Sequence, residues 1–164
     1  MSVELNLATD NKKGGSSDLK KFLSFTVGKL EYAVDIMMVR EIKVWTEVTR
    51  LPNSPEEMRG VMNLRGVIIP IFDLRTRFGQ GTTEATNKNV VIILSAGNRI
   101  IGILVDAVSD ILDVEATEIK ASPTSETEID DKYISGLVSI NERMVIVLNM
   151  EEMFGQINIE NIKQ

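Results

Sequence analysis

The feature that most constrains the fold of this chain is an internal repeat. Residues 25–42, FTVGKLEYAVDIMMVREI, align without a gap over residues 94–111, LSAGNRIIGILVDAVSDI. Residues 60–78, GVMNLRGVIIPIFDLRTRF, align in the same way over residues 136–154, GLVSINERMVIVLNMEEMF. In the first block Gly28 meets Gly97, Val34 meets Ile103, Val39 meets Val108 and Glu41 meets Asp110; in the second Leu64 meets Ile140, Asp73 meets Asn149 and Phe78 meets Phe154. The connection between the blocks is longer in the second copy, where extra loop length costs little closure entropy. Self-similarity of this kind implies two copies of one supersecondary unit.

The unit is made of strands. Leu23, Phe25 and Val27 alternate with polar neighbours, Gly28-Lys29 supplies a turn, and Leu30, Tyr32, Val34 and Ile36 resume the alternation, which is the pattern of a β-hairpin. Short Val- and Ile-rich runs follow at 62–72, 90–94, 100–105, 137–140 and 144–148. Asp73 and Asn149 each stand where a strand gives way to a short amphipathic turn, and both read as helix N-caps. Ser54-Pro55-Glu56-Glu57 has the form of a capping box and predicts one or two helical turns. About five short strands per copy suit a small, closed or nearly closed barrel that protects its edges. The expected organisation is a flexible leader over 1–19, a first β-barrel over 20–85, a second over 86–155 and a tail over 156–164. The repeat leaves open whether a strand crosses between the modules. Paired barrels leave a groove, and such junctions are favoured binding places.

Composition narrows the function. The net charge is -6, and the 18 Lys and Arg are scattered rather than clustered, which argues against nucleic acid. Cysteine and histidine are both absent, removing thiol chemistry, the commonest zinc ligands and the commonest general base near neutral pH. An enzyme would have to rest on carboxylates such as Asp35 with Asp73 or Asp106, but these acids fall at turns and caps. The acidic stretch 126–131 lacks the alternating ligands and glycine turn of a calcium loop. No apolar run approaches the roughly 20 residues that span a bilayer. The expectation is a cytoplasmic protein with no catalytic residues, no cofactor and no metal.

The segment Asn63-Leu64-Arg65-Gly66-Val67-Ile68-Ile69-Pro70-Ile71-Phe72-Asp73-Leu74-Arg75 resembles the signature of the CheW family, N-L-R-G-x-x-x-P-[IV]-x-D-L-R. The resemblance extends through Tyr32–Ile36 and Val39–Ile42 upstream and Gly102–Val108 downstream, covering roughly residues 20–155. It implies a mainly β fold of two SH3-like five-stranded barrels. It also implies a non-catalytic chemotaxis adaptor that couples the cytoplasmic tips of methyl-accepting chemoreceptors to the regulatory domain of the histidine kinase CheA, in membrane-associated arrays but without membrane insertion. The start of the chain so near the first strand, without a kinase or receiver domain, is similar to the stand-alone adaptor rather than to CheA or CheV. The family's receptor-binding positions match Val39, Glu41, Gly60 and Arg65 here. Residues of the kinase face are not implied.

Each of these residues also has a plain structural role open to it. Val39 shares its apolar repeat position with Val108 and fits a core as well as a contact. Glu41 fits a solvated strand-end ion pair. Arg65-Gly66 fits an ordinary hairpin turn, although the second copy carries Asn141-Glu142 there, so the arginine is particular to the first. Trp45, the one tryptophan, reads as barrel-end packing.

Overall fold

The computed structural model describes residues 2–3, 19–121 and 131–155. Eleven strands run in chain order: β1 (Ser2–Val3), β2 (Leu19–Val27), β3 (Leu30–Asp35), β4 (Val39–Val44), β5 (Met58–Leu64), β6 (Val67–Asp73), β7 (Val90–Ala96), β8 (Arg99–Val105), β9 (Ala107–Glu115), β10 (Ile134–Ile140) and β11 (Arg143–Leu148). Two short helices, α1 (Leu74–Arg77) and α2 (Met150–Phe154), follow β6 and β11. The strands form one sheet in the order β1-β4-β7-β8-β6-β5 and a second in the order β10-β11-β3-β2-β9. The fold is mainly β, with two SH3-like five-stranded sheets, the first extended by the two-residue β1.

The copies of the repeat are β2–β6 and β7–β11, yet neither copy builds a sheet by itself. Each surrenders its first hairpin to the other: β2–β3 pairs with β9 and β11, and β7–β8 pairs with β4 and β6. Parallel ladders make the joins, Ile71↔Gly102 through Asp73↔Leu104 between β6 and β8, and Val145↔Glu31 through Val147↔Ala33 between β11 and β3. The sheets therefore cross the expected division at 85/86 in both directions. Apart from β1, one sheet takes its strands from 39–105, while the other joins 19–35 to 107–148. Asp106 latches this exchange at the first hairpin turn. Its Oδ2 accepts from Gly28 N at 2.8 Å, and both carboxylate oxygens accept from Arg75 Nη2, at 2.9 and 2.8 Å.

The exchange explains where the core lies. One cluster (Trp45, Ile69, Ile71, Val91, Ile93, Leu104) lies on one face of the first sheet, and a second (Phe22, Ala33, Leu112, Val114, Val138, Val145, Val147) lies on one face of the other. The largest lies between the sheets and takes the opposite faces of the same strands, with Phe25, Tyr32, Phe72, Ile92, Ile103 and Phe154. Strands with apolar residues on both faces read as continuous apolar runs, as 90–94 and 100–105 do. Phe72 of β6 and Phe154 of α2 stack at 4.9 Å within the largest cluster.

Neither ladder runs all the way round, but each sheet is drawn towards closure by one isolated bridge. Thr49 joins Val61 of β5, and Lys120 joins Leu137 of β10. Val61 and Leu137 are repeat partners, so the device is itself repeated. Gly60 and Gly136 stand beside the bridges because a Cβ at either would enter the crossing segment, 2.4 Å from Thr49 O in one case and 2.9 Å from Lys120 O in the other.

Asp73 and Asn149 cap their helices as expected, accepting from Arg75 N and Glu152 N at 3.1 Å. Asp73, fully buried, also accepts from Thr83 N and Oγ1 at 2.8 and 2.7 Å, pinning the connection to β7. The expected helix after Ser54 does not form. Ser54 Oγ donates to Leu51 O at 2.9 Å instead of capping, and by Met58 the chain has joined β5 opposite Phe72, which leaves no length for a helical turn. At the start of the expected leader, Ser2 and Val3 pair with Lys43 and Ile42 on the edge of β4. The remainder of the leader up to residue 18, most of the acidic stretch at 126–131 and the tail 156–164 lie outside the described residues.

Candidate docking groove

A bulge between Val39 and Glu41 in the β4–β7 ladder sets the directions of the residues around it. Val39 faces the core between the sheets and is 5% exposed. Glu41 faces the first barrel's mouth. Arg40 lies on the rim, where its Nε donates to Ser95 Oγ at 2.9 Å.

The β5–β6 hairpin brings Arg65 to the same mouth. Arg65 (φ 52°) and Gly66 (φ 91°) both have positive φ, the two-residue turn that matches strand twist, and Asn63 Oδ1 accepts from Gly66 N at 2.8 Å. Asn141 and Glu142 adopt the same signs in the second copy, so the turn itself requires neither Arg nor Gly. What is particular to the first copy is the guanidinium. Arg65 Nη2 donates to Glu41 Oε1 at 2.6 Å, and Lys43 Nζ lies 3.6 Å from Glu41 Oε2. The Arg65 side chain is 73% exposed and that of Glu41 12%. Only the arginine end of the pair is open to solvent, and the bond holds a shielded carboxylate and a guanidinium in fixed relation at the rim.

Beneath the rim lies a groove of about 360 Å³ lined by Arg40, Glu41, Leu64, Arg65, Val67, Ile69, Ile93 and Ile100. Its floor is apolar, and Val67 is 52% exposed. Of the four expected site residues, the structure brings Glu41 and Arg65 together here. Val39 and Gly60 are not among the lining residues: Val39 sits in the core behind β4, and Gly60 lies under the Thr49 bridge at the far end of β5. This groove lies at the mouth of the first barrel. Sequence reasoning missed Val67, Ile93 and Ile100; their signal was present in the repeat, where the matching residues are Arg143, Ser24 and Glu31.

The three carboxylates weighed as an acid–base set are engaged elsewhere. Asp35 accepts from Met37 N at 2.9 Å, Asp73 caps α1, and Asp106 binds Arg75. Among the described residues no group of three or more acidic, histidine or cysteine side chains is placed to hold a metal ion, and no helix is long and apolar enough to cross a membrane.

Two joined SH3-like sheets, with an apolar mouth ringed by a fixed ion pair, define the class as a docking module. The chain belongs to the CheW-like domain family, whose pattern it matches over residues 21–158. It is 42% identical to the chemotaxis protein CheW of Klebsiella aerogenes over 147 residues, 90% of this chain and 89% of that one. It is 31% identical to the Bacillus subtilis protein of the same name, over 79% of this chain and 83% of the relative. The structure is similar to that of the scaffolding protein TtCheW from Thermoanaerobacter tengcongensis, with a TM-score of 0.79 at 29% identity, covering 91% of this chain and 96% of that one.

Proposed function

We propose that the protein is a non-catalytic chemotaxis adaptor that couples the cytoplasmic tips of chemoreceptors to the histidine kinase CheA, working in the cytoplasm at receptor arrays. The observation that carries this reading is the first barrel's mouth, an exposed apolar floor beside the Glu41–Arg65 pair, in a chain whose relatives are named chemotaxis proteins. A receptor helix lays an apolar stripe on Val67 and Ile100, and its polar flank exchanges hydrogen bonds with Glu41 and Arg65, which set the register. Val39 and Gly60 act by position: Val39 seats β4 on the core, and Gly60 lets the Thr49 segment close the barrel behind the groove. The regulatory domain of CheA engages a separate face. Simultaneous engagement of two weak faces then raises the effective concentration of kinase at receptor.

The test is a pull-down with purified CheA regulatory domain and receptor signalling fragment. Wild type bridges the two, and Glu41→Lys, which sets a third cation beside Arg65 and Lys43, loses the receptor while keeping the kinase. Binding of neither partner by wild type would sink the reading; equal loss of both by the variant would make Glu41 a folding residue.

A further inference from the structure

The repeat does not stop at α1 and α2. Continued without a gap beyond Phe78 and Phe154, it sets residues 80–88, in the connection between α1 and β7, over residues 156–164, where Gln80 meets Gln156 and Glu84 meets Glu160. In the first copy this connection plugs the end of the barrel opposite the Arg65 turn. Thr83, 6% exposed, bonds to the Asp73 carboxylate, and Arg59 Nη1 donates to Thr83 O at 2.9 Å while lying 3.6 Å from Asp73 Oδ2. The Arg59 guanidinium also covers Trp45, 5.4 Å from the ring centre, and Ala85 packs on the cluster beneath. Among the described residues, the corresponding seat in the second copy is an open cleft of about 380 Å³. Ser135 and Asn149, the counterparts of Arg59 and Asp73, line it together with Phe22 and Val147, the counterparts of Val91 and Ile71.

We infer that residues 156–164 fill this cleft as 80–88 fill the first seat, so that the chain's own tail is the plug of the second barrel. Seat and segment change together between the copies. The first seat carries the Asp73–Arg59 pair and receives Thr83; the second carries the uncharged Asn149 and Ser135, and Thr83 corresponds to Ile159. A threonine hydroxyl suits a buried carboxylate that needs donors, whereas an isoleucine set over Phe22, Ile119 and Val147 gains by leaving water. The charges agree as well, since the cleft carries Lys20 and Asp35 and the tail Glu160 and Lys163. The reach is short. Asn149, Met150 and Glu151 at the head of α2 already line the cleft, and the five-residue helix sets the start of the tail only about 8 Å further on. Neither partner of the adaptor enters this reasoning, so it holds or fails apart from the receptor reading.

The experiment uses the full chain, whose lack of cysteine lets a single nitroxide be attached at Gln164→Cys. Amide signals of Lys20, Ser135 and Val147 around the second seat lose most of their intensity, while those of Arg59 and Val91 in the first keep theirs. Adding Ile159→Asp to the labelled chain restores the second-seat signals to their intensity with the nitroxide reduced, and Ile159→Val leaves them weak. Full intensity at the second seat, or broadening that persists with Ile159→Asp, overturns the inference. A mixture of isotope-enriched chain without nitroxide and unenriched chain with it reads the source of the tail. Second-seat broadening in that mixture assigns the cleft to the tail of another copy and overturns the inference; its absence ties the tail to its own barrel.

Discussion

Replacing Gly60 by alanine tests the closure of the first barrel quantitatively. Gly60 has φ 153°, and an added Cβ would lie 2.4 Å from Thr49 O, 2.8 Å from Thr49 C and 2.8 Å from Val48 Cγ2. The first two are backbone atoms, so no rotamer change relieves them. Reaching ordinary contact requires the crossing segment to retreat by about 1 Å. That stretches the paired bonds Thr49 N→Val61 O (3.0 Å) and Val61 N→Thr49 O (2.8 Å) beyond hydrogen-bonding distance. Two bonds at roughly 1 kcal/mol each, with about 1–2 kcal/mol for the unfavourable φ, give a loss of roughly 3–4 kcal/mol. For a chain of this length about 2–4 °C accompany each kcal/mol, so the midpoint falls by roughly 6–16 °C. Gly136→Ala is the matched control. Its nearest clash is the side-chain atom Ile119 Cγ2, at 2.4 Å, its backbone clash with Lys120 O is milder, at 2.9 Å, and its φ lies outside the left-handed range. Its loss should be about 1–2 kcal/mol, in the range of moderate overpacking. Equilibrium urea unfolding followed by circular dichroism measures both. A Gly60→Ala protein within 1 kcal/mol of wild type, or a Gly136→Ala protein less stable than it, would refute the claim that the bridge forces glycine at Gly60.

Asp73→Ala should lower stability by about 3 kcal/mol, since it removes the α1 cap and strips Thr83 of two buried bonds; chemical unfolding gives the value. Asp106→Ala releases both Gly28 N and Arg75, a loss of about 1–2 kcal/mol that should appear as faster amide exchange at the Gly28 turn while the middle of β8 stays protected.

The two-copy architecture and the two N-caps were legible because the repeat aligns strand on strand. The hairpin exchange was not. Alternating strands such as β2 and β3 present the same apolar spacing whichever copy receives them, and pairing depends on contacts some eighty residues apart, such as Leu23 with Ile111. The box at Ser54 misled because a local capping pattern was overruled by the ladder from Met58 to Phe72. At the site, residue types pointed to Glu41 and Arg65 but not to their direct bond, which arises from the bulge that turns Glu41 and the turn that raises Arg65. The floor was hidden because Val67 and Ile100 look like any strand residues until set beside Arg143 and Glu31.

The exchanged hairpins also give the molecule a birth order. Residues 39–105 can complete their sheet as soon as they leave the ribosome, whereas β2 and β3, made earlier, find their neighbours only when β9 and β11 emerge. At ordinary translation speeds the wait between Asp35 and Arg143 is roughly 5–20 s. Through that interval Phe25, Tyr32 and Val34 belong to a hairpin without a sheet, and a lone hairpin is marginally stable in water. The half finished first is thus the one that carries the groove, and β2 and β3, made before every strand of it but β1, are among the last to be folded.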